Sequence, residues 1–471
     1  MGVGKQPLWH QRCSKLSCYY HQPDIRPRGV ANELWVNCKL WGNCKLWLIC
    51  EHWLICEHWP SLLRWIRSHR WRYVGFFLVS TLDNSNNLMK RIAQALRPNW
   101  RQAVEAIGFT YHTIDGDLYW DESGFFEFSY DQIQILEQAT NVLHAMCLEA
   151  VEVAIEEDRL AEFYIPDRFH QWIKDSWEND QPTLFGRFDL AWDGQGPPKL
   201  LEYNADTPTS LFEAAVVQWH WLEDTQPANQ VITQFDQFNS LHDQLIDAWK
   251  FLKQNGWDNV HFAATADHEE DFGNITYLRD TAAQAGIDTQ YLDMPSIGFD
   301  HANRVFVDAE GNPIQHLFKL YPWEWMLQEE FSQHLLHSST IWLEPPWKML
   351  LSNKTILAIL WDLFPNHKYL LPASFEPLDC DFVRKPILSR EGSNISIVSQ
   401  QHDTSQSTDG PYWDQPCVYQ AYHPLFHSPT GYAVLGSWII GDRACGLGIR
   451  EDIQPITHNT SRFVPHRIRR N

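Results

Sequence analysis

Two short stretches, Arg187-Phe-Asp-Leu-Ala-Trp192 and Lys199-Leu-Leu-Glu-Tyr-Asn204, alternate polar with apolar residues. Side chains of a strand point alternately to opposite faces. Arg187 and Asp189 therefore share one face, as do Glu202 and Asn204. The intervening Asp193-Gly-Gln-Gly-Pro-Pro198 is turn chemistry, with Gly free to take positive φ and Pro withholding donors. A hairpin closed symmetrically by this turn sets Asp189 opposite Glu202 and Arg187 opposite Asn204, with Cβ atoms roughly 5 Å apart. Its other face reads Phe188, Leu190, Leu201 and Tyr203, a stripe for core packing. Three oxygen-bearing side chains and one guanidinium on a single face suit a hard divalent cation, Mg2+, held beside a phosphate. A solvated hairpin face with a cross-strand ion pair is the other reading of the same residues.

Phosphate chemistry needs cations, and two lysines stand at suitable places. Lys354 lies at the head of an expected helix, where Asn353 can cap and helix N–H groups can meet a phosphate oxygen. Lys385 lies on an expected strand, Phe382-Val-Arg-Lys-Pro-Ile387, which runs into Leu388-Ser-Arg-Glu-Gly-Ser-Asn-Ile395, a turn of small residues able to fold over a nucleotide. Each lysine alone also fits an ordinary surface charge. The spacing is not that of a Walker A loop, so a P-loop is excluded. Val418-Tyr-Gln420 ends a strand whose backbone edge can read an adenine. Arg450, in Gly446-Leu-Gly-Ile-Arg-Glu-Asp452, projects near two carboxylates, and a surface ion pair is its plain reading.

The elements that must position these groups follow from periodicity. Residues 130–155 read as a long amphipathic helix with Ile133, Leu136, Val142, Leu143, Met146, Val151 and Val153 on its buried side. Shorter helices are expected over 170–177, 211–221, 239–253 and 354–364. Between them, a strand at 260–265, a helix at 274–285 and a strand at 289–292 precede a second hairpin built from 304–308 and 313–318. From Phe382 onward strands and turns alternate, with a polar loop over 399–411. Strands alternating with helices imply a mixed sheet with helices packed on it.

The chain has 471 residues, with 37 Lys and Arg against 59 Asp and Glu, giving a net charge of −22. That balance argues against nucleic acid and anionic membrane as partners, since phosphate backbones need a basic surface. It leaves room for a small-molecule site where a few lysines are focused. No apolar run approaches the roughly 20 residues of a membrane span, and the apolar run at 73–80 lies too deep in the chain for a signal peptide. Past residue 88 the only cysteines are Cys147, Cys380, Cys417 and Cys445, without metal-ligand spacing. A cytoplasmic location is expected.

Residues 1–88 differ in kind. They hold 11 basic and 5 acidic side chains and six of the ten cysteines. Trp35, Trp41, Trp47, Trp53, Trp59, Trp65 and Trp71 recur every six residues, with Cys38, Cys44, Cys50 and Cys56 in phase. A hexad period fits a β-solenoid in principle, but the run is too short for capped coils, and no CxxC or HxxxH pair supports zinc. The expectation is an irregular, repetitive extension without function, with the working body starting near Met89.

Taken in order, Arg187-Phe-Asp189, Glu202-Tyr-Asn-Ala-Asp-Thr-Pro-Thr-Ser210, Ser352-Asn-Lys354, Arg384-Lys-Pro-Ile387, Arg390-Glu-Gly-Ser-Asn394 and Gly448-Ile-Arg-Glu-Asp452 resemble the glutathionylspermidine synthase family. The resemblance covers about residues 89–467. It is nearest to the stand-alone branch described as acid–amine ligases, which lacks the amidase domain. It implies an α+β / α/β protein: a permuted ATP-grasp fold with a pre-ATP-grasp-like α/β subdomain. It further implies ATP and Mg2+ as cofactors, and small-molecule carboxylate and amine substrates. On matching positions, Asp189, Glu202 and Asn204 correspond to the Mg2+ ligands and Arg187 to the catalytic arginine. Arg187, Phe188, Asp189, Lys354, Lys385, Gly392, Gln420, Arg450 and Ile456 correspond to the ATP-contacting set. Thr207, Glu269 and Glu270 fall at substrate positions. The pattern departs from the synthetases at Thr207-Pro-Thr-Ser210, where they carry Ser-Ala-Ser-Cys, and around Lys319-Leu-Tyr-Pro-Trp-Glu324. Glutathione and spermidine therefore do not follow automatically.

The chemistry implied is ATP-dependent amide formation through an acyl phosphate. An ATP- or metal-binding protein with a regulatory role is the alternative. A metal-dependent phosphatase or nuclease would leave Lys354 and Lys385 unexplained.

Overall fold

The computed structural model describes residues 88–226, 235–265, 268–399 and 405–469, together with the backbone of two short strands, Val36–Asn37 and Lys45–Leu46. The chain divides into two units, Met1–Asn84 and Ser85–Asn471. In the first, the two short strands pair antiparallel, Val36 with Leu46. The rest of the expected extension lies outside the described residues, save its last residue, Leu88.

The second unit opens with β1 (Lys90–Ala93) and α1 (Trp100–Ala106). β2 (Gly124–Ser129) runs into α2 (Tyr130–Glu156), whose start is fixed by a reciprocal cap between Ser129 and Gln132. Ile133, Leu136, Leu143, Met146 and Val151 are buried, as the helical spacing predicts, while Val142 and Val153 are half-buried. α3 (His170–Glu178) precedes the hairpin of β3 (Phe185–Ala191) and β4 (Lys199–Asn204). The helix expected over 211–221 is interrupted by a π-helical turn, Glu213–Val217, before α4 (Gln218–Thr225). β5 (Phe235–Asp236) and α5 (Leu241–Gln254) follow.

An α/β segment comes next: β6 (Asn259–Ala264), α6 (Glu269–Gln284) and β7 (Asp288–Asp293). α6 begins five residues earlier than periodicity indicated, because Glu269, Glu270 and Asp271 in its first turn favour the positive end of the helix dipole. β8 (Gly298–Asp300) pairs with β9 (Val305–Val307), while β10 (His316–Lys319) and β11 (Ile341–Leu343) join β6 and β7 in a parallel sheet, order β7-β6-β10-β11. The hairpin expected from 304–308 and 313–318 is therefore replaced. Only a bridge from Val307 to Pro313 links the two segments, since apolar runs this short do not specify their partner.

α7 (Thr355–Leu363) leads to β12 (Ala373–Ser374), β13 (Phe382–Pro386), β14 (Ser396–Val398), β15 (Ser405–Ser407) and β16 (Cys417–Ala421), a sheet of order β12-β16-β13-β14-β15. Part of the polar loop expected over 399–411 is thus strand β15; residues 400–404 lie outside the described set. The long strands β17 (Gly431–Ile440) and β18 (Arg443–Asp452) complete a six-stranded sheet in which β17 pairs with β3 and β18 with β19 (Arg462–Phe463). β20 (His466–Arg469) lies between β2 and β5.

The hairpin register is the one period two requires: Arg187 faces Asn204 and Asp189 faces Glu202. Beyond Asp189 a bulge shifts the pairing to Leu190 with Leu200. The core stripe is accordingly Phe188, Leu190, Leu200 and Tyr203, all buried, and Leu201 is the extra residue that leaves it. Phe188 stacks on Tyr203 with ring centroids 3.8 Å apart and packs in the cluster that takes the buried face of α2. Its side chain thus faces the core, on the opposite face of the strand from Arg187 and Asp189.

Candidate active site

The apolar back of the hairpin anchors its polar front. Arg187 clamps Asp189 through two hydrogen bonds, Nε to Oδ1 at 2.7 Å and Nη2 to Oδ2 at 3.0 Å, and donates from Nη1 to the Thr209 carbonyl at 2.8 Å. The Asn204 amide sits between the two carboxylates, 3.3 Å from Asp189 Oδ2 and 3.2 Å from Glu202 Oε1. Burial raises the Asp189 carboxyl against the opposing pull of Arg187. Burial would raise Glu202 as well, but Lys354 and Lys385 outweigh it and hold that carboxyl at about 2.

Both lysines reach the hairpin. Lys354, not Asn353, is the cap residue just before α7, and Asn353 Oδ1 accepts from the Thr355 amide at 2.9 Å from one position further back. Lys354 Nζ lies 3.1 Å from Glu202 Oε2 and donates to the Ser389 carbonyl at 2.6 Å. On β13, Lys385 Nζ donates to the Leu201 carbonyl at 2.9 Å and to Gln420 Oε1 at 2.7 Å. Gln420 in turn donates to the Leu200 carbonyl at 2.9 Å. The β4 bulge thus turns the Leu200 and Leu201 carbonyls toward the second sheet. Burial pushes the Lys385 ammonium down to about 8, with Glu202 drawing it up and Lys354 drawing it further down.

Arg450 projects from β18 into a pocket it shares with Arg187, Asp189, Ser210, Gly436 and Thr457. It is not paired with its neighbours in sequence. Its Nη2 donates to the carbonyls of His458 and of Asn459, the latter at 2.9 Å. Glu451, on the opposite face of the strand, bonds Arg91 at 3.0 Å and Arg462 at 2.6 Å, and Asp452 bonds Ser461 and His458. Gly392 takes φ +70°, and a Cβ placed there would sit 2.1 Å from the Thr457 carbonyl and 3.0 Å from Ile456 Cγ2. The loop 388–395 therefore rests directly on residues 456–457.

A second cleft is lined by Asn204, Thr207, Glu324, Ser352, Lys354, Ser389 and Arg390. Arg390 bridges Thr207 Oγ1 at 2.8 Å and Glu324 at 2.7 Å. Beneath it, Lys319 and Asp206 form a buried ion pair at 2.6 Å. Of the two glutamates placed at substrate positions, Glu269 is exposed, while Glu270 turns inward. Burial raises Glu270 against the pull of Arg450 and a hydrogen bond from Thr209. Glu213, Asp271 and Arg390 were not singled out from sequence. A carboxylate within the apolar run Leu-Phe-Glu-Ala-Ala-Val-Val was the available sign for Glu213.

The donor set fits a hard cation. Three side chains converge, and turning the Asn204 amide would present its oxygen where its nitrogen now meets both carboxylates. Among the described residues no three or more His, Cys, Asp or Glu side chains group to hold a metal. The candidate set is two carboxylates and an amide.

Carboxylates set against lysines and arginines at the junction of two sheets form the candidate site of this mixed α+β protein. The chain belongs to the glutathionylspermidine synthase preATP-grasp family, whose pattern matches residues 91–469. It is 41% identical over 394 residues to a Haemophilus influenzae protein provisionally named acid–amine ligase, covering 80% of this chain and 99% of that one. It is 29% identical to the bifunctional glutathionylspermidine synthetase/amidase of Escherichia coli and 28% identical to trypanothione synthetase of Crithidia fasciculata, each over 70% of this chain. It spans only 57% and 54% of those two longer proteins. The protein is an enzyme of the ATP-dependent carbon–nitrogen ligase class. No described helix is long and apolar enough to cross a membrane.

Proposed function

We propose that this enzyme joins a carboxylate to an amine through an acyl phosphate, using ATP and Mg2+. The observation that carries the reading is the meeting of two charge sets at one place. Glu202 lies 3.1 Å from Lys354, and the Leu201 carbonyl beside it binds Lys385 at 2.9 Å. Asp189, Glu202 and Asn204 would hold the metal ion, which when bound neutralises phosphate charge and polarises the transferring group. Lys354, Lys385 and Arg450 supply fixed positive charge for the phosphate oxygens. Arg187, released from Asp189, is placed to stabilise the oxyanion at the acyl carbon. The loop 388–395 covers the site and excludes water, which would otherwise hydrolyse the intermediate.

The relatives' names direct the first substrate trials toward glutathione-like peptides and polyamines. The Thr207-Pro-Thr-Ser210 sequence and the Arg390 bridge mark where selectivity for the acid is set. The free thiols of Cys147, Cys380, Cys417 and Cys445 suit a cytoplasmic site. The test is a screen of carboxylate–amine pairs for ADP release. ADP that depends on both partners, with one amide formed per ADP, supports the reading. ADP release that needs neither partner, or nucleotide binding without turnover, overturns it.

A further inference from the structure

Behind the pocket that holds Arg187 and Arg450 lies a group of acids that the phosphate chemistry does not use. Glu213 opens the π-helical turn Glu213–Val217 and is fully buried. Its Oε1 accepts from Tyr119 Oη at 2.7 Å, while its Oε2 has no partner. The Tyr111 hydroxyl, also buried, has none either. A buried oxygen without a donor costs about 1–3 kcal/mol, so such atoms mark places that a ligand satisfies. π-Turns within helices recur at functional sites for the same reason: they are retained against a better-bonded α-turn.

The surroundings say which ligand. Glu270, from the first turn of α6, presses negative charge on Glu213, Tyr111 and Tyr119, and its neighbour Asp271 adds to it at Tyr111. Arg450 on β18 opposes them at both Glu213 and Glu270, Arg187 acts on Glu270, and Glu391 of the covering loop adds repulsion at Glu270 and Asp271. Asn274 locks this geometry. Its Oδ1 accepts from the amides of Leu211 and Phe212 at 3.0 and 3.4 Å, and its Nδ2 donates to the Glu270 carbonyl at 2.9 Å. A buried, unpartnered Glu213 oxygen with the carboxyls of Glu270 and Asp271 around it calls for a cationic donor of several N–H bonds. An ammonium group has that chemistry.

We propose that Glu213 is the residue that takes the proton from the attacking amine, with Glu270 and Asp271 holding the ammonium beside it. This rests on the acyl-phosphate reading above. An amine reaches the enzyme as R–NH3+ and cannot attack until it loses a proton. Glu213 Oε2 accepts that proton, leaving the lone pair of R–NH2 free. The C–N bond forms at the acyl carbon, the carbonyl C–O bond to phosphorus breaks, and phosphate departs with the second amine proton as HPO4 2−. Burial, with Glu270 adding to it, raises the Glu213 carboxyl to about 8, in the range where a general base works best near neutrality. Tyr119 keeps its hydrogen bond to Oε1 throughout, which orients Oε2.

The test is Glu213→Gln, which preserves shape and the Tyr119 bond. Glutathione is the acid first used, then any acid found active in the screen, and two nucleophiles are compared at pH 7. Spermidine arrives as ammonium, whereas hydroxylamine is already a free base and traps an acyl phosphate as hydroxamate. The variant is expected to lose about 100-fold or more of its amide-forming rate with spermidine. With hydroxylamine the loss should stay under about tenfold. The acid limb of amide formation near pH 8 should vanish in the variant. Equal losses with both nucleophiles, or equal rates with both, overturn the role of Glu213. If the parent enzyme itself makes no hydroxamate with any acid, the acyl-phosphate reading fails first, and this one with it.

Discussion

Gly392→Ala tests whether loop 388–395 must seat on residues 456–457 for coupling. Two penalties combine. Gly392 holds φ +70°, which costs an L-residue about 1–2 kcal/mol. The new methyl would stand 2.1 Å from the Thr457 carbonyl, where carbon and oxygen tolerate about 3.3 Å. The loop must retreat by roughly 1 Å or overpack at about 1–3 kcal/mol. Together these favour the withdrawn loop by at least about 30-fold, at 1.4 kcal/mol per decade. Because the loop can retreat, the penalty falls on closure and not on the core, and Tm should drop by no more than about 3 °C. The assay is the ratio of amide formed to ADP released, alongside nucleotide affinity. Water entering a half-closed site should cut that ratio at least tenfold while ADP release continues. A ratio and a nucleotide affinity both within twofold of the parent would refute the seating of this loop as the water barrier.

Asp189→Ala and Glu202→Ala should abolish ADP release with the fold retained, as neither side chain is on the hairpin's buried face; ordinary turnover in either variant at normal Mg2+ removes the metal assignment. Lys385, pushed down to about 8 in the free protein, should regain its proton when nucleotide phosphates arrive. Phosphate favours the charged form, so affinity should fall as pH rises through 8. Calorimetry at pH 8 in buffers of different ionisation heat should show proton uptake, which Lys385→Arg eliminates; no uptake in the parent contradicts the phosphate role. Lys319→Met strands Asp206 in the interior and should cost about 3–5 kcal/mol in urea unfolding, with a loss under about 1 kcal/mol showing that the pair is not structural. A chain beginning at Met89 should fold and release ADP like the full chain, since Met89 is itself buried and its amide donates to the Asp193 carbonyl at 2.8 Å; an insoluble or inactive product would make the preceding residues part of the working protein.

Period-two alternation was enough to pair Arg187 with Asn204 and Asp189 with Glu202, because a half-buried hairpin tolerates only one register. It was not enough to find the bulge. Inserting one residue leaves the alternation readable on both sides, so Leu200 and Leu201 exchange roles without a sign in the sequence. The second hairpin failed for a related reason. Val305–Val307 and His316–Lys319 are apolar runs whose partners, Gly298–Asp300 and the parallel strands beside β10, lie elsewhere in the chain.

The bulge is also what joins the two halves of the site. β4 is the edge strand of its sheet, and at the bulge both the Leu200 and the Leu201 carbonyls are free of the ladder. The Leu201 carbonyl accepts from Lys385, while the Leu200 carbonyl accepts from Gln420, which in turn holds Lys385. The sheet bearing the carboxylates is thereby tied to the sheet bearing one of the lysines by two hydrogen bonds next to Glu202, and a third, between Lys385 and Gln420, braces them within the second sheet. Lys354 reaches Glu202 from α7 and the Ser389 carbonyl at the root of the covering loop. If Lys354 turned to a phosphate, it would give up its contacts with both Glu202 and the Ser389 carbonyl.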